Sequence, residues 1–341
     1  MKFLITGGAG FIGSAVIRHL INDRGHEVIN IDKLTYSGNL DSLREVERNE
    51  LYSFKEIDIC DSDQVRRVIA DCRPNVVINL AAESSVDRSI VNPSKFIQTN
   101  VVGTFALLEE VRHYWDKLER VEKDKFRFLH ISTDEVFGSL GAQEEPFNEG
   151  SRYSPNSPYS ASKACSDHLV RSWSETYGLP VIITHCSNNY GPYQFPEKLI
   201  PLIIIKAMRG ENFPIYGDGI QVRDWLHVND HSKALVAVAE KGRVGESYMI
   251  GGNSEKRNID IVRDICEILE GFKIPKPKGL KKYTDLIDFV EDRKAHDFRY
   301  GVDVNKIKDE LGWQPSISFS IGLKETVSWY LSNEWWWERL I

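Results

Sequence analysis

The chain has 341 residues, of which 41% are hydrophobic and 27% are charged, and its formal net charge at pH 7 is −7. This composition is ordinary for a soluble globular protein, and the negative balance gives no reason to expect nucleic acid or an anionic membrane as the partner. The sequence also lacks any run of about 18 apolar residues that could span a membrane.

The first residues and the cysteines bear on the compartment. Residues 1–7 read as a strand running into a glycine turn, with no signal peptide before it, so we expect a cytoplasmic protein. The sequence has five widely spaced cysteines and no Cys-x-x-Cys pair: Cys60, Cys72, Cys165, Cys186 and Cys266. They are interpreted as reduced thiols rather than as a disulfide framework or a metal site.

The N-terminal segment has the pattern of a dinucleotide-binding unit. A buried-type strand at residues 2–6 is followed by Gly7, Gly10 and Gly13 and then by helical periodicity over residues 14–21. Gly7 allows the turn, Gly10 lets the backbone approach a pyrophosphate, and Gly13 lets the helix pack on the sheet. The spacing Gly-x-x-Gly-x-x-Gly differs slightly from the usual fingerprint, but the strand and the helix are both present.

The second predicted strand, residues 27–32, ends in Asp32. An acid about 20 residues after the last glycine is expected to bind the adenosine ribose hydroxyls. Because a carboxylate repels a 2′-phosphate, Asp32 favours NAD over NADP, an effect that the neighbouring Lys33 softens slightly.

The next part of the chain continues the alternation of strands and helices. Strand-like segments lie at residues 54–59, 76–82, 126–131 and 181–187, and residues 93–118 read as one long helix. This order predicts an α/β fold with a Rossmann-type, doubly wound parallel sheet. We expect residues 1–190 to form the NAD-binding domain.

From residue 191 onward the alternation loosens, which predicts a smaller mixed α/β lobe for the substrate over 191–341, with some exchange of elements between the two parts. Residues 213–219 read as a loop and 221–228 as a short strand. Three local positive charges could hold a diphosphate in this negatively charged chain: Lys198, Arg223 and Arg293. The three consecutive tryptophans at 335–337 are expected to dock on this lobe or on a neighbouring subunit.

The end of the fifth strand carries a hydroxyl and two neighbouring carboxyls, Thr133, Asp134 and Glu135. Open α/β sheets bind ligands at the carboxyl ends of their strands. Since adjacent strand residues point to opposite faces, both carboxyls can serve one ligand only if the strand stops near Thr133 and the backbone turns.

A second pair of candidate catalytic residues lies on the helix that begins near Pro158. Tyr159 and Lys163 are four residues apart and share one helix face. A free tyrosine has a pKa of about 10, but a lysine ammonium and the positive nicotinamide of NAD⁺ both favour the phenolate. Tyr159 is therefore a candidate base for a hydroxyl proton while hydride leaves the same carbon.

With these motifs the chain resembles the extended short-chain dehydrogenase/reductase family, and within it the branch that dehydrates nucleotide sugars. The glycine turn and Tyr159-x-x-x-Lys163 are shared across the family, whereas Thr133-Asp134-Glu135 is specific to the dehydratase branch. Further matching segments lie at residues 81–89, 187–192, 196–201 and 223–226. The resemblance spans nearly the whole chain.

The resemblance implies a lyase reaction on dTDP-glucose with an internal NAD redox cycle, as used in deoxysugar biosynthesis. Tyr159 would deprotonate the 4-hydroxyl while hydride passes to NAD⁺, with Thr133 holding the oxygen. Glu135 would then remove the C5 proton, Asp134 would protonate the departing 6-hydroxyl, and hydride would return to C6. Two close carboxyls suit this elimination because mutual repulsion separates their pKa values, leaving one protonated and one ionised.

The resemblance also implies the binding residues and the assembly, which is generally a homodimer formed through the helices near 95–118 and 159–177. No metal site is implied. The NAD site would include Gly7, Gly10, Phe11, Ile12, Gly13, Asp32, Lys33, Thr35, Asp58, Ile59, Ala81, Thr99, Tyr159, Lys163 and Asn188. The nucleotide-sugar site would include Ser84, Thr133, Asn189, Glu197, Lys198, Leu199, Pro214, Tyr216, Arg223, Asn258, Arg293 and His296.

The chain departs from the family pattern at two places. Phe137 stands where a tyrosine is usual, which removes one hydroxyl near the site. Lys294 and Ala295 replace the usual Pro-Gly before His296, which affects the backbone that places this histidine.

Three other functions fit part of the pattern. A 4-epimerase or a decarboxylase of the same fold would also oxidise C4, but neither needs a carboxyl pair for elimination. A non-catalytic NAD-sensing module could keep the glycines and Asp32, but it would have no reason to retain Thr133, Asp134, Glu135, Tyr159 and Lys163 together.

Overall fold

The computed structural model describes residues 1–272 and 274–341. Its strands, in chain order, are β1 (Lys2–Thr6), β2 (Glu27–Asp32), β3 (Tyr52–Glu56), β4 (Val76–Asn79), β5 (Arg127–Thr133), β6 (Val181–Cys186), β7 (Asn188–Tyr190), β8 (Phe213–Tyr216), β9 (Val222–His227), β10 (Ser247–Ile250), β11 (Glu255–Arg257) and β12 (Ile287–Val290).

The α-helices are α1 (Phe11–Arg18), α2 (Ser62–Cys72), α3 (Val86–Val91), α4 (Pro93–Phe96), α5 (Thr104–Trp115), α6 (Arg120–Lys125), α7 (Pro158–Tyr177), α8 (Leu199–Arg209), α9 (Val228–Lys241), α10 (Asn258–Phe272), α11 (Asn305–Leu311), α12 (Phe319–Ser332) and α13 (Glu334–Trp337). Over the ranges that the structure describes, none of these helices is long and apolar enough to cross a membrane.

A parallel sheet with the order β10-β6-β5-β4-β1-β2-β3 organises the larger part of the molecule. The chain builds the sheet outward from β1 through β2 and β3, and then continues on the other side of β1 with β4, β5 and β6. This is the doubly wound Rossmann-type arrangement expected from the sequence, and it confirms the predicted fold class. Its central strands are almost fully buried because helices cover both faces, which is why they read as continuous apolar runs.

The two halves of the chain exchange elements. Strand β10 pairs in parallel with β6 at the edge of the main sheet, although it belongs to the second half of the sequence. Helix α9 packs against α1 on one face of the same sheet. The remaining strands of the second half form two small sheets, β11-β9-β7 and β12-β8, the first of which includes β7 from the end of the first half.

Two segments differ from the sequence-based expectation. Residues 213–219 were expected to be a loop, but Phe213–Tyr216 forms β8, which pairs in parallel with β12. Pro214 lowers the strand signal because it lacks an N–H, yet it is tolerated in a sheet of two strands.

The helix expected over 93–118 is interrupted by a π-helical segment, Ile97–Gly103. There a Cβ on Gly103 would lie 2.8 Å from Ile59, so the helix approaches the end of the sheet closely.

The C-terminal tryptophans pack into the core of the second lobe. Trp336 and Trp337 are buried among the side chains of α8, α10 and α12, whereas Trp335 is 37% exposed. Trp336 also reaches the first half of the chain, because its Nε1 donates a hydrogen bond to Ser42 Oγ at 3.2 Å. The docking of two of the three tryptophans on this lobe agrees with the sequence interpretation.

Replacing Trp336 with alanine should lower the free energy of unfolding by about 3–5 kcal/mol, the usual loss for a large aromatic side chain removed from a core. Trp335→Ala is the matched control in the same tract and should cost less than about 1 kcal/mol, because this side chain is partly exposed. Chemical denaturation followed by far-UV circular dichroism would measure both. Equal losses would contradict the observed difference in burial.

Candidate active site

A cleft opens at the carboxyl ends of the central strands, and its first wall is the turn after β1. Gly7 takes a φ of 70°, and a Cβ there would lie 2.7 Å from the Ala81 backbone. A Cβ on Gly13 would lie 2.3 Å from the Gly7 carbonyl, so α1 can approach the turn only because this residue is glycine. No side chain caps the start of α1 at Gly10. Its free N–H groups therefore face the cleft as a site for an anion.

Asp32 lies at the end of β2, on the far side of this turn. Its carboxylate accepts hydrogen bonds from the Ala9 N–H at 3.0 Å and from the Leu34 N–H at 2.8 Å. Burial raises the pKa of Asp32, and these two N–H groups oppose the rise. Lys33 is turned toward Asp58, with Nζ 3.3 Å from Oδ2, and Nζ also donates to Thr99 Oγ1 at 3.1 Å. These residues form the pocket expected for the adenosine end of a dinucleotide.

All of the residues expected to contact NAD line this one cleft, which fits an extended dinucleotide. They are Gly7, Gly10, Phe11, Ile12, Gly13, Asp32, Lys33, Thr35, Asp58, Ile59, Ala81, Thr99, Tyr159, Lys163 and Asn188. The acid–base candidates Thr133, Asp134 and Glu135 line it as well.

Strand β5 ends at Thr133, and a 3₁₀ turn begins at Asp134. Thr133 Oγ1 accepts from the Glu135 N–H and donates to Asp134 Oδ1, both at 3.3 Å. The backbone thus turns at the position that the sequence argument required, and the two adjacent carboxyls face the same cleft instead of opposite faces of the sheet.

The two carboxyls have different electrostatic surroundings. Asp134 is 1% exposed, and its Oδ2 has no hydrogen-bond partner within residues 1–272 and 274–341. Burial together with the nearby Glu135 raises its pKa well above the ordinary value. Burial also raises the pKa of Glu135, but the charges of Arg293, Arg223 and Lys198 oppose that rise. Asp134 is therefore the more readily protonated member of the pair, and Glu135 is the more readily ionised one.

Tyr159 and Lys163 approach the same point from α7, which begins at Pro158 after the N-cap residue Ser157. Burial and the nearby Glu135 raise the pKa of the Tyr159 phenol, and a hydrogen bond with Thr133 lowers it in part. A base at this position needs positive charge near the ring, as the sequence analysis assigned to Lys163 and an oxidised nicotinamide. Lys163 Nζ donates to the Ile131 carbonyl at 2.7 Å, and burial lowers its pKa.

The expected nucleotide-sugar residues fall into two groups. Five of them line the cleft: Ser84, Thr133, Asn189, Glu197 and Lys198. The other seven lie in the second lobe, outside the lining of the cleft: Leu199, Pro214, Tyr216, Arg223, Asn258, Arg293 and His296.

Arg223 is buried and held by its own lobe. Its guanidinium donates to the carbonyls of Val222, Asp297 and Phe298 and lies 4.3 Å from the centre of the Tyr300 ring. Burial lowers the pKa of Arg223, and the acidic surroundings oppose this. The structure therefore places its positive charge behind Glu135 rather than on the cleft surface.

The segment in which Lys294 and Ala295 replace the usual Pro-Gly determines the position of His296. His296 Nδ1 lies 2.6 Å from Asp292 Oδ1, and its ring meets Tyr216 edge to face at a centroid distance of 6.1 Å. Ala295 has a φ of 51°, in the left-handed region that favours glycine. The backbone at this position thus remains left-handed although alanine replaces the usual glycine, and alanine adopts that conformation with strain.

Three residues that the sequence analysis did not single out close the cleft from the side of Asp32. Tyr36 OH donates to Glu197 Oε1 at 2.9 Å, and Arg88 Nε donates to the other carboxylate oxygen at 2.9 Å. The Arg88 guanidinium lies 3.7 Å from the centre of the Tyr36 ring, and Phe195 meets that ring edge to face. No local pattern marks these residues, because Glu197, the shared partner of Tyr36 and Arg88, is more than a hundred positions away from both.

The other departure, Phe137, faces away from the cleft. It is buried against Phe147, Tyr153 and His185, with ring centroids about 5 Å away. The missing hydroxyl therefore belongs to the core beneath the site.

Comparison with known proteins places this geometry among nucleotide-sugar enzymes. The model of the family described as GDP-mannose 4,6 dehydratase matches residues 4–326. The chain is 57% identical to a dTDP-glucose 4,6-dehydratase of Neisseria meningitidis serogroup B, over 100% of this chain and 96% of that protein.

Solved structures show the same fold. The dTDP-glucose 4,6-dehydratase DesIV of Streptomyces venezuelae, with NAD and dTDP bound, is 42% identical, covers 100% of both chains and superposes with a TM-score of 0.91. A UDP-glucose 4-epimerase of Thermotoga maritima is 30% identical, over 98% of this chain and 99% of that one, with a TM-score of 0.83.

The left-handed conformation of Ala295 leads to a stability prediction. Ala295→Gly should raise the free energy of unfolding by about 0.5–1 kcal/mol, because the strain it relieves exceeds the entropy that glycine adds to the unfolded chain. Ala142→Gly, in an exposed turn without positive φ, is the control and should lower stability by a similar amount. Thermal melting curves would compare the two, and a loss at both positions would contradict the strain.

Proposed function

Because the chain belongs to the GDP-mannose 4,6 dehydratase family of extended short-chain dehydrogenases/reductases, we propose that it is a hydro-lyase that converts dTDP-glucose into dTDP-4-keto-6-deoxyglucose and water. Relatives with this activity are similar to the chain along its whole length. The reaction oxidises C4, eliminates water across C5 and C6, and reduces C6.

The observation that carries this proposal is the pair of carboxyls at the end of β5. A buried Asp134 with a raised pKa can donate a proton, and Glu135, surrounded by Arg293, Arg223 and Lys198, can accept one. Elimination needs both functions at adjacent carbons at the same time. An epimerase has no use for such a pair, so the pair favours the dehydratase over the 4-epimerase with the same fold.

The cofactor is NAD, since the cleft provides the parts that a dinucleotide requires and a related structure holds it. The free N–H groups at the start of α1 would hold the pyrophosphate, and Asp32 would bind the adenosine ribose. When bound, NAD accepts the C4 hydride at the start of the cycle and returns it to C6 at the end.

The residues of the chain would then divide the proton transfers among them. Tyr159 takes the proton of the sugar 4-hydroxyl, and Thr133 donates a hydrogen bond to the same oxygen. Glu135 removes the C5 proton that the new ketone has made acidic, and Asp134 protonates the departing 6-hydroxyl. Lys163 supplies positive charge that favours the phenolate form of Tyr159.

The second lobe would hold the nucleotide part of the substrate, with residues 1–190 serving the cofactor and 191–341 the sugar nucleotide. Arg293 would hold the diphosphate, since its Nε is buried and has no hydrogen-bond partner among the residues that the structure describes, while Arg223 would add its positive charge from behind Glu135. Asn258 and His296 would face the ribose and the phosphates. Pro214 and Tyr216, on β8, would pack on the base, and Leu199 would lie on the sugar-phosphate side.

We expect a homodimer that uses the outer surface of α5, α7 and the helical turns before α5. Large apolar side chains are exposed there, namely Ile90, Val91, Ile97, Val102, Phe105 and Tyr177. A surface of this kind on helices is typical of an interface between subunits. All five cysteines are free thiols, in keeping with a protein that works in the cytoplasm.

The activity is tested by incubating the purified protein with dTDP-glucose and reading the absorbance of the keto sugar after addition of alkali. Product should form with loss of one water and without net consumption of NADH, because the hydride returns within the cycle. UDP-glucose in a parallel reaction tests the preference for thymine. A 4-epimer formed without loss of mass would instead establish an epimerase.

Two variants separate the first oxidation from the elimination. Glu135→Gln should lower dehydration by about 10²–10⁴-fold while bound NAD⁺ is still reduced, so that NADH absorbance accumulates. Tyr159→Phe should prevent the reduction of NAD⁺ itself. Normal turnover by Glu135→Gln, or an unchanged burst of NADH in Tyr159→Phe, would contradict the assigned roles.

A further inference from the structure

A fully buried carboxylate, Asp167, lies beneath the cleft and has no part in the proposed reaction. It is on α7, four residues after Lys163 and eight after Tyr159. At 3.6 residues per turn these three side chains share the helix face that packs on the sheet. Burial of a carboxylate is costly unless donors or positive charge compensate for it, so its surroundings show what it does.

Four side chains surround the carboxylate of Asp167. Ser132 Oγ donates to Oδ2 at 2.7 Å, and Tyr153 OH lies 3.1 Å from the same oxygen. His185 Nε2 lies 3.2 Å from Oδ2 and 2.8 Å from Tyr153 OH, while His130 Nε2 lies 3.3 Å from Oδ1. These donors come from β5, from β6 and from the loop before α7.

His130 faces Asp167 as a neutral ring. His130 Nδ1 accepts from Asn79 Nδ2 at 3.2 Å, which places the ring proton on Nε2, facing Asp167. Burial lowers the pKa of His130 to about 4. Burial alone would raise the pKa of Asp167, but the contacts with His130 and His185 hold it below its ordinary value. The negative charge of the cluster therefore lies on Asp167.

Helix α7 forms hydrogen bonds with two successive residues at the end of β5. Lys163 Nζ binds the Ile131 carbonyl at 2.7 Å, and Asp167 binds the Ser132 hydroxyl at the same distance. The next residue along the strand is Thr133, where the acid–base residues begin. The contact between Asp167 and Ser132 thus ties the strand that carries the carboxyl pair to the helix that carries the phenol.

The charge of Asp167 also acts on Lys163. The ammonium is buried, and Asp167 is the largest influence that raises the pKa of Lys163 against the effect of burial. The Cys186 thiol, on β6, acts in the same direction. His130 lies within reach of the ammonium, since the charge of Lys163 contributes to the lowered pKa of this histidine.

We propose that Asp167 is a positioning residue for the reaction: through Ser132 it holds the end of β5 against α7, and its negative charge keeps Lys163 protonated beside Tyr159. This inference rests on the proposed function. Asp167 touches neither the sugar nor the cofactor, so it acts only through Ser132 and Lys163.

Asp167→Asn tests the charge, because it keeps the shape and an acceptor for Ser132. At neutral pH kcat should fall by about 10-fold or more, while KM for dTDP-glucose stays within about twofold, since the substrate contacts are intact. Removal of a negative charge lowers the pKa of Lys163, so the loss of activity at alkaline pH should begin at a lower pH than in the wild type.

Ser132→Ala tests the tie to the strand, because it leaves the charge of Asp167 in place. It should lower kcat by about 3–10-fold without moving the alkaline limb of the pH profile. Ser166→Ala is the matched control, as this buried serine on α7 donates only to carbonyls of its own helix. Its kcat and pH profile should equal those of the wild type.

The outcomes separate the two proposals. Wild-type protein that does not dehydrate dTDP-glucose would overturn the proposed function. An active wild type, with an unmoved pH profile in Asp167→Asn or with normal kcat in Ser132→Ala, would overturn the role of Asp167 and leave the function standing. Should Asp167→Asn fail to fold, Ser132→Ala alone decides, since loss of one hydroxyl preserves the core.

Discussion

The hydrogen bond from Lys163 Nζ to the Ile131 carbonyl joins α7 to the last residues of β5. One turn further along the helix, Asp167 binds Ser132. The strand ends at the next residue, and the turn that follows brings Asp134 and the neighbouring glutamate into the cleft that contains the phenol of α7. The relative position of base, acid and proton acceptor thus depends on how this helix and this strand are held together in the core.

Burial raises the pKa values of the two carboxyls and lowers the pKa of Lys163, and neighbouring charges then modify each shift to a different extent. Burial and the charge of Glu135 raise the pKa of Asp134, whereas the charges of Arg293 and Arg223 favour the ionised form of Glu135. Lys163 remains charged in the interior because a carboxylate lies one turn away. Two adjacent carboxyls in one uniform environment would not differ in this way; the asymmetry comes from the second lobe, which supplies the arginine and lysine charges that act on Glu135.

The two lobes also enclose the cofactor cleft between them. Tyr36, from the loop after β2, and Arg88 both bind Glu197, which precedes α8. On the other side of the molecule Trp336 connects the C-terminal helices to Ser42. These contacts join the two lobes at two separate points. Such closure suits a reaction in which the hydride must remain on the enzyme between oxidation and reduction.

The amino-acid sequence by itself determined the sheet, the glycine turn, Asp32 and the grouping of Thr133, Asp134, Glu135, Tyr159 and Lys163, because each depends on residues within a few positions of one another or on the period of a strand or helix. It also contained the substitution at Ala295, but not the left-handed backbone there. Only the tertiary structure decided that β8 is a strand, that Arg223 lies buried behind the acid pair, and that Tyr36 meets Glu197. Asp167 stands within the helix pattern as an ordinary polar residue, and its importance arises from His130, Ser132 and His185 on two other strands. Such relations depend on contacts between distant segments, and no local periodicity or spacing records them.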